Sequence, residues 1–269
     1  MIDQVIELFN AGQLDDAVAK SNELVANNPR DMASRLVLMQ LVCFNGDWER
    51  VRKISGQLKA LDSEGEHMAL INFVDQQVIA ETIRDQTWAQ GMVPDFVREP
   101  DELSQKILWA WNCRRMGEVA KYAEAIEWVV DNTPNITAEI NGEKHEGFRD
   151  FDDMSSCVLE AFTINGLYLW VPLPIVRQIV VAKPIRPVDF LWAKSKILLD
   201  DDTELALYLP SNYFQSSESE SQSVRLGRET QWNEDSQGLE KGLGRRLFLA
   251  GDDEFTYFDF EKVILEVAK

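Results

Sequence analysis

The sequence predicts an α+β protein: a tetratricopeptide-like α-helical hairpin array over residues 1–134, followed by a mixed, β-rich C-terminal domain over residues 135–269. Three observations carry that expectation. Apolar residues recur at helical spacing up to Pro134 and at a period of two beyond it. Gly12 and Gly46 stand thirty-four residues apart, the length of a tetratricopeptide-type hairpin, which puts Leu14 and Trp48 at the same place in consecutive units. Two Asn-Gly dipeptides, Asn141-Gly142 and Asn165-Gly166, break the second part as tight β-hairpin turns do.

Taken in order, Ile2, Val5, Ile6 and Phe9 fall at i, i+3, i+4 and i+7, and Leu14, Ala17, Val18 and Val25 resume the pattern after Gly12. Pro29 follows Gly12 by seventeen residues, and Pro134 follows Gly117 by the same interval. In each unit the glycine closes the first helix, because it enters the left-handed conformation without a Cβ clash. The proline lies just past the second helix, where its missing amide matters least and continuation is blocked. In the stretch FNGDWERV, Asn45-Gly46 is therefore a hairpin corner, Asp47 caps the next helix, and Trp48 turns back onto the first. The unit after Trp48 ends at Leu61-Asp62-Ser63 without a proline, and 67–92 keeps only the helical period. Six or seven helices in about three hairpins are expected, with 85–100, which holds Gly91, Pro94 and Pro100, as an irregular connection.

Past Pro134, strands are expected at 136–140, 161–164, 167–171, 176–181, 204–209, 228–232, 246–249 and 254–260. Helical stretches are expected at 152–160 and within 187–199. The polar run QSSESESQS, 215–223, reads as an exposed loop.

Composition bounds the function. A hydrophobic share of 45% with 27% charged residues describes a soluble globular chain. A net charge of −19 repels phosphate backbones and anionic lipid, so no nucleic-acid partner is expected. The most apolar segment, 167–181, is broken by Pro172, Pro174 and Arg177 and is too short to span a bilayer, so no membrane insertion is expected. Met1-Ile2-Asp3-Gln4 has no basic start or long apolar run, and Cys43, Cys113 and Cys157 are odd in number and widely spaced; both fit a cytoplasmic protein with unpaired thiols.

Signs of catalysis are absent. His67 and His145 lie in different halves, and neither HExxH nor CxxC spacing occurs, so no metal or other cofactor is expected. The run from Gly238 to Arg246 lacks the GKS/T ending of a phosphate loop and reads as a tight turn or bulge. Asp200-Asp201-Asp202 and Asp252-Asp253-Glu254 read as solvated turns rather than calcium loops. The alternative to a binding module is an enzyme of unknown reaction with its site near Arg245 and Arg246, the two forming an anion-binding fork beside Asp252 and Asp253. A third reading is a stability partner that joins a larger assembly through the strand half. Eight tryptophans complete the inventory, and of these Trp109 and Trp111, two apart and so about 200° around a helix, cannot share one face.

Several motifs together carry a family pattern. Cys43-Phe44-Asn45-Gly46-Asp47-Trp48-Glu49-Arg50 follows the helical start, and Ile164-Asn165-Gly166-Leu167-Tyr168-Leu169-Trp170-Val171-Pro172 opens the strand half. Asp189-Phe190-Leu191-Trp192-Ala193, Leu209-Pro210-Ser211-Asn212-Tyr213, Glu229-Thr230-Gln231-Trp232 and Gly242 to Arg246 come after them. In this order and spacing the chain resembles the ImpE/TagJ family of type VI secretion accessory proteins over nearly its whole length. It departs where the family often has Arg-Tyr-Pro and this chain has Asn212-Tyr213-Phe214. The resemblance implies a non-catalytic cytoplasmic adaptor. Its implied partners are the N-terminal helix of the small contractile-sheath subunit (TssB/VipA-like) and the ClpV-type AAA+ ATPase that recycles sheath. From the residues themselves, helix-in-groove capture would use apolar anchors, here Leu38, Leu41, Phe44, Trp48, Trp109 and Trp111, and the acidic surface favours a partner helix with basic flanks.

Overall fold

The computed structural model describes residues 2–235 and 237–268. Among these, seven helices precede Pro134: α1 (Ile2–Asn10), α2 (Leu14–Asn27), α3 (Met32–Cys43), α4 (Trp48–Leu61), α5 (Met68–Gln90), α6 (Glu102–Arg115) and α7 (Val119–Asn132). Three pairs, α1/α2, α3/α4 and α6/α7, are hairpins whose corners hold Gly12, Gly46 and Gly117 at φ +84°, +63° and +76°. These are the left-handed positions expected of the three glycines. Asp47 caps α4 by accepting from the Arg50 backbone N–H, 3.1 Å away.

α5 stands alone, with buried residues from Ile71 and Phe73 through Val78 and Arg84 to Trp88 and exposed ones at Ala69, Asn72 and Ile79. Burial on more than one side suits a helix lying between two layers. It packs on α4 on one side and on the sheet on the other. It also corrects the expected irregular connection: the helix runs to Gln90, Gly91 caps it at φ +77°, and β1 (Asp95–Phe96) follows.

The strand half supplies β2 (Ile136–Ile140), β3 (Glu143–His145), β4 (Arg149–Asp150), β5 (Val158–Phe162), β6 (Tyr168–Pro172), β7 (Val176–Val181), β8 (Trp192–Leu199) and β9 (Glu204–Pro210). A short helix α8 (Gln222–Arg225) precedes β10 (Thr230–Glu234), β11 (Glu240–Gly244), β12 (Phe248–Ala250), β13 (Asp253–Phe255) and β14 (Lys262–Val267). The main sheet runs β1-β6-β5-β9-β8-β7-β14-β2-β3, antiparallel except for the parallel β1/β6 pair. β13-β12-β4 and the β10-β11 hairpin form two small sheets beside it. One face of the main sheet, with Val158, Phe162, Tyr168, Trp170 and Trp192, shares a core with the helices. The other, with Leu159, Ala161, Val171 and Ile197, closes on Phe248 and Tyr257.

Several expectations are corrected. Within 152–160 only a 3₁₀ turn at Asp153–Ser155 is helical, and β5 begins at Val158. Within 187–199 only Pro187–Phe190 is helical; the period-two run from Trp192 wins because every second residue is buried. Glu240–Gly244 is a strand, not a turn, and the expected 254–260 strand ends at Phe255. β14 lies outside the expected strands. The 215–223 run is not an exposed loop, because Ser216 is buried and ties to Tyr213 and Gly244.

Candidate functional site

The site lies where α5 meets the sheet. Helical spacing puts Glu81, Arg84 and Trp88 at i, i+3 and i+7 on one face of α5. Strand alternation sends Glu160 to the same side of β5 as Val158 and Phe162, towards the helices. Glu160 accepts at Oε1 from Arg84 Nε (2.8 Å), Trp88 Nε1 (2.7 Å) and the Tyr168 hydroxyl (2.6 Å). Its Oε2 accepts from Arg84 Nη2 at 2.8 Å and from Arg246 Nη2. Arg246 also donates to Asp150, and Asp150 accepts from the Tyr213 hydroxyl at 3.0 Å. On the far side Arg84 pairs with Glu81, which accepts from Trp192 Nε1 at 2.9 Å. Asp150, Arg246, Glu160, Arg84 and Glu81 thus form a buried line of alternating charge from strand to helix.

Burial alone would raise the Glu160 pKa, but Arg84 and Arg246 override it and hold the carboxyl at about 2. For Asp150 burial wins, and its pKa is raised despite Arg246. The same carboxylates raise both arginines against the effect of burial. Each Glu160 oxygen is occupied, so the group is a clamp between the halves and has no lone pair left for a proton in transit.

Two hollows flank this line, separated by Phe214, which stacks on Trp88 at 6.0 Å and 19°. One, of about 230 Å³, has Trp88, Trp111 and Phe214 as aromatic walls and Asp152, Lys241 and Arg246 among its polar lining. The other, of about 310 Å³, reaches Trp48 and the Asn45-Gly46 corner. The segment after Phe214 straps the helical corners to the sheet. Arg225 pairs with Asp15 and donates to Asn45, and Arg228 donates to the Phe9 and Asn10 carbonyls that end α1.

The expected groove residues divide. Leu38, Leu41 and Phe44 are 4%, 0% and 1% exposed and fill the array's own core, Phe44 against Phe9 at 5.5 Å, which corrects the expectation of open anchors, although Phe44 also edges the hollow that reaches Trp48. Trp48 and Trp111 are half-buried. Trp111 faces α5, edge-on to Trp88 at 4.9 Å and donating to the Thr87 carbonyl at 3.1 Å. Trp109, on the other side of α6, is 50% exposed.

The Arg245–Arg246 fork is likewise corrected. Arg246 is 1% exposed and committed to Asp150 and Glu160, while Arg245 turns away to donate to the Gly227 carbonyl and cover the Phe258 ring at 4.6 Å. Burial lowers the Arg245 pKa to about 10. Asp252 and Asp253 sit exposed at the β12–β13 turn. Sequence reading missed Arg84, Asp150 and Glu160; the available signal was a lone carboxylate inside the apolar strand VLEAF. Among the described residues no His, Cys, Asp or Glu group is arranged to hold a metal ion, and no helix is long and apolar enough to cross a membrane. All three cysteines are buried and unpaired.

The comparisons agree with the motif resemblance. Residues 142–264 match the family model described as ImpE protein. The chain is 28% identical to the type VI secretion system accessory component TagJ of Pseudomonas aeruginosa, over 97% of this chain and 90% of that protein. An X-ray crystal structure of a protein from Vibrio parahaemolyticus shares the fold with a TM-score of 0.85 at 24% identity, covering 99% of this chain and 98% of that one.

Proposed function

We propose that this chain, similar to a TagJ protein over 97% of its length and to the ImpE family model over residues 142–264, is a non-catalytic cytoplasmic accessory of a type VI secretion system. It acts as an adaptor that captures the N-terminal helix of the TssB/VipA-like sheath subunit and connects it to the ClpV-type ATPase. The observation that carries the reading is the 28% identity to an accessory component across 97% of the chain. The internal commitment of Arg84, Arg246, Asp150 and Glu160 supports it, since these buried charges serve one another.

With Leu38, Leu41 and Phe44 enclosed, the helix-docking face belongs on the α6/α7 hairpin. Trp109 on α6 and Met116, which caps that helix, are seven residues apart and 50% and 67% exposed, and Val119 and Val130 are exposed on α7. Four anchors at about 1.5–3 kcal/mol each cover the roughly 8 kcal/mol of micromolar binding once ordering costs are subtracted. Copurification tests the reading: the full-length sheath subunit is expected to be retained by this protein, and a subunit lacking its first helix is expected to be lost. Equal retention of both would reject helix capture.

A further inference from the structure

The smaller hollow beside Phe214 brings aromatic rings and charged side chains together. Three of its four lining rings form one cluster, Trp88 with Trp111 edge-on at 4.9 Å and Phe214 stacked at 6.0 Å, and Tyr213 is the fourth. Its volume of about 230 Å³ is smaller than the roughly 300–1,000 Å³ of drug-sized pockets, which suits a ligand the size of one amino acid.

Its charge is unlike that of the rest of the molecule. On a chain of net charge −19, four cations (Arg114, Arg115, Lys241 and Arg246) line it against three carboxylates (Asp152, Glu160 and Asp235). Arg114 is paired with Asp235 at 2.9 Å, and Arg246 with Glu160. Subtracting those pairs leaves Arg115, Lys241 and Asp152. Among the described residues neither Arg115 nor Lys241 has a carboxylate partner; Lys241 donates only to the Gln215 side chain, at 2.8 Å. Asp152 receives backbone N–H groups from Met154 (2.9 Å) and Gly242 (3.1 Å), and no cation donates to it. Two buried polar atoms on the lining, Arg246 Nε and Gln237 Oε1, also have no protein partner. Buried groups left this way are matched by solvent or by a ligand.

We propose that this cavity binds an apolar residue bearing a free carboxylate, supplied as a free amino acid or as the C-terminal residue of a chain. The carboxylate meets Lys241 and Arg115, the side chain lies among the three rings, and the ligand's N–H group donates to Asp152. The site is distinct from the α6/α7 docking face and stands whether or not that face binds a helix.

The test titrates the full-length protein with L-phenylalanine, N-acetyl-L-phenylalanine and L-phenylalaninamide, followed by calorimetry and by tryptophan fluorescence. At least one of the two carboxylates is expected to bind saturably, and the amide, which lacks the anion, about tenfold or more weakly. Binding of the acetylated form marks a chain terminus as the natural source; binding of the free amino acid alone marks a metabolite. Lys241→Gln and Arg115→Gln are each expected to weaken binding about tenfold. Arg115 is exposed, so that variant folds and reads the site even if Lys241→Gln does not. The proposal is overturned if no carboxylate saturates up to about 10 mM, if the amide binds equally well, or if a folded Arg115→Gln protein binds like the parent.

Discussion

Glu160 is the residue on which the two halves converge, and its environment sets opposite demands on its neighbours. Removing Arg246 strands Asp150 in a dry interior and leaves Glu160 with Arg84 as its one cation, whereas Arg246 compensates both now. Arg246→Met is therefore expected to cost about 3–5 kcal/mol in urea denaturation, because an unpaired buried charge costs more than the pair gained. The pH dependence has two limbs of opposite sign. Glu160 is held at about 2, below its ordinary value of about 4.3. It stabilises the fold fully above about pH 4.3, and that share is lost as pH falls towards 2. Burial, then the neighbouring Asp150, pushes Asp152 up to about 6, above its ordinary value of about 3.9. The native state therefore binds that proton first, and the Asp152 share of stability falls as pH rises from about 4 to about 6. Melting temperatures measured against pH are expected to show this decline in the parent and a smaller one in Asp152→Asn, since Asp150, also raised by burial, contributes in the same direction.

At the scale of elements, the glycine corners and the hairpin turn on α5 do different jobs at the same backbone angle. Gly117 has φ +76° with open space where a Cβ would go; Gly166 has φ +78° with the Gln76 carbonyl oxygen 2.8 Å from that position. Gly117→Ala is expected to cost about 1 kcal/mol from backbone strain alone. Gly166→Ala should cost a further 1–3 kcal/mol, roughly, because a backbone atom must move and the β5–β6 turn lifts off α5. Equal losses in chemical denaturation would show that the turn does not dock there. The helical corners were legible because glycine, cap and proline each leave a local mark. The misread elements are those whose identity is decided by distant partners. Residues 158–160 follow a short 3₁₀ turn and become strand only by pairing with β6. Glu240–Gly244, glycine-rich and polar, is a strand because β10 lies against it. The Glu160–Arg84 clamp was hidden for the same reason, since seventy-six positions separate its members.

For the whole molecule, the change of period at Pro134 divides the chain by element type, yet one hydrophobic core crosses that boundary, holding Phe73 and Trp88 together with Trp170 and Trp192. The clamp and the strap from Arg225 and Arg228 cross it too. A single unfolding transition is expected in calorimetry, and Arg84→Met should lower it as a unit rather than melt one half first. The surface left outside this shared core includes Trp109, Met116 and the outer residues of α7, the face proposed to dock the partner helix. Its most direct test is a calorimetric titration with a peptide of the sheath subunit's N-terminal helix. The account predicts saturable binding near about 1–10 μM, weakened about tenfold or more by Trp109→Ala with the melting temperature unchanged. No heat up to several hundred micromolar, roughly, or binding indifferent to Trp109, would contradict it.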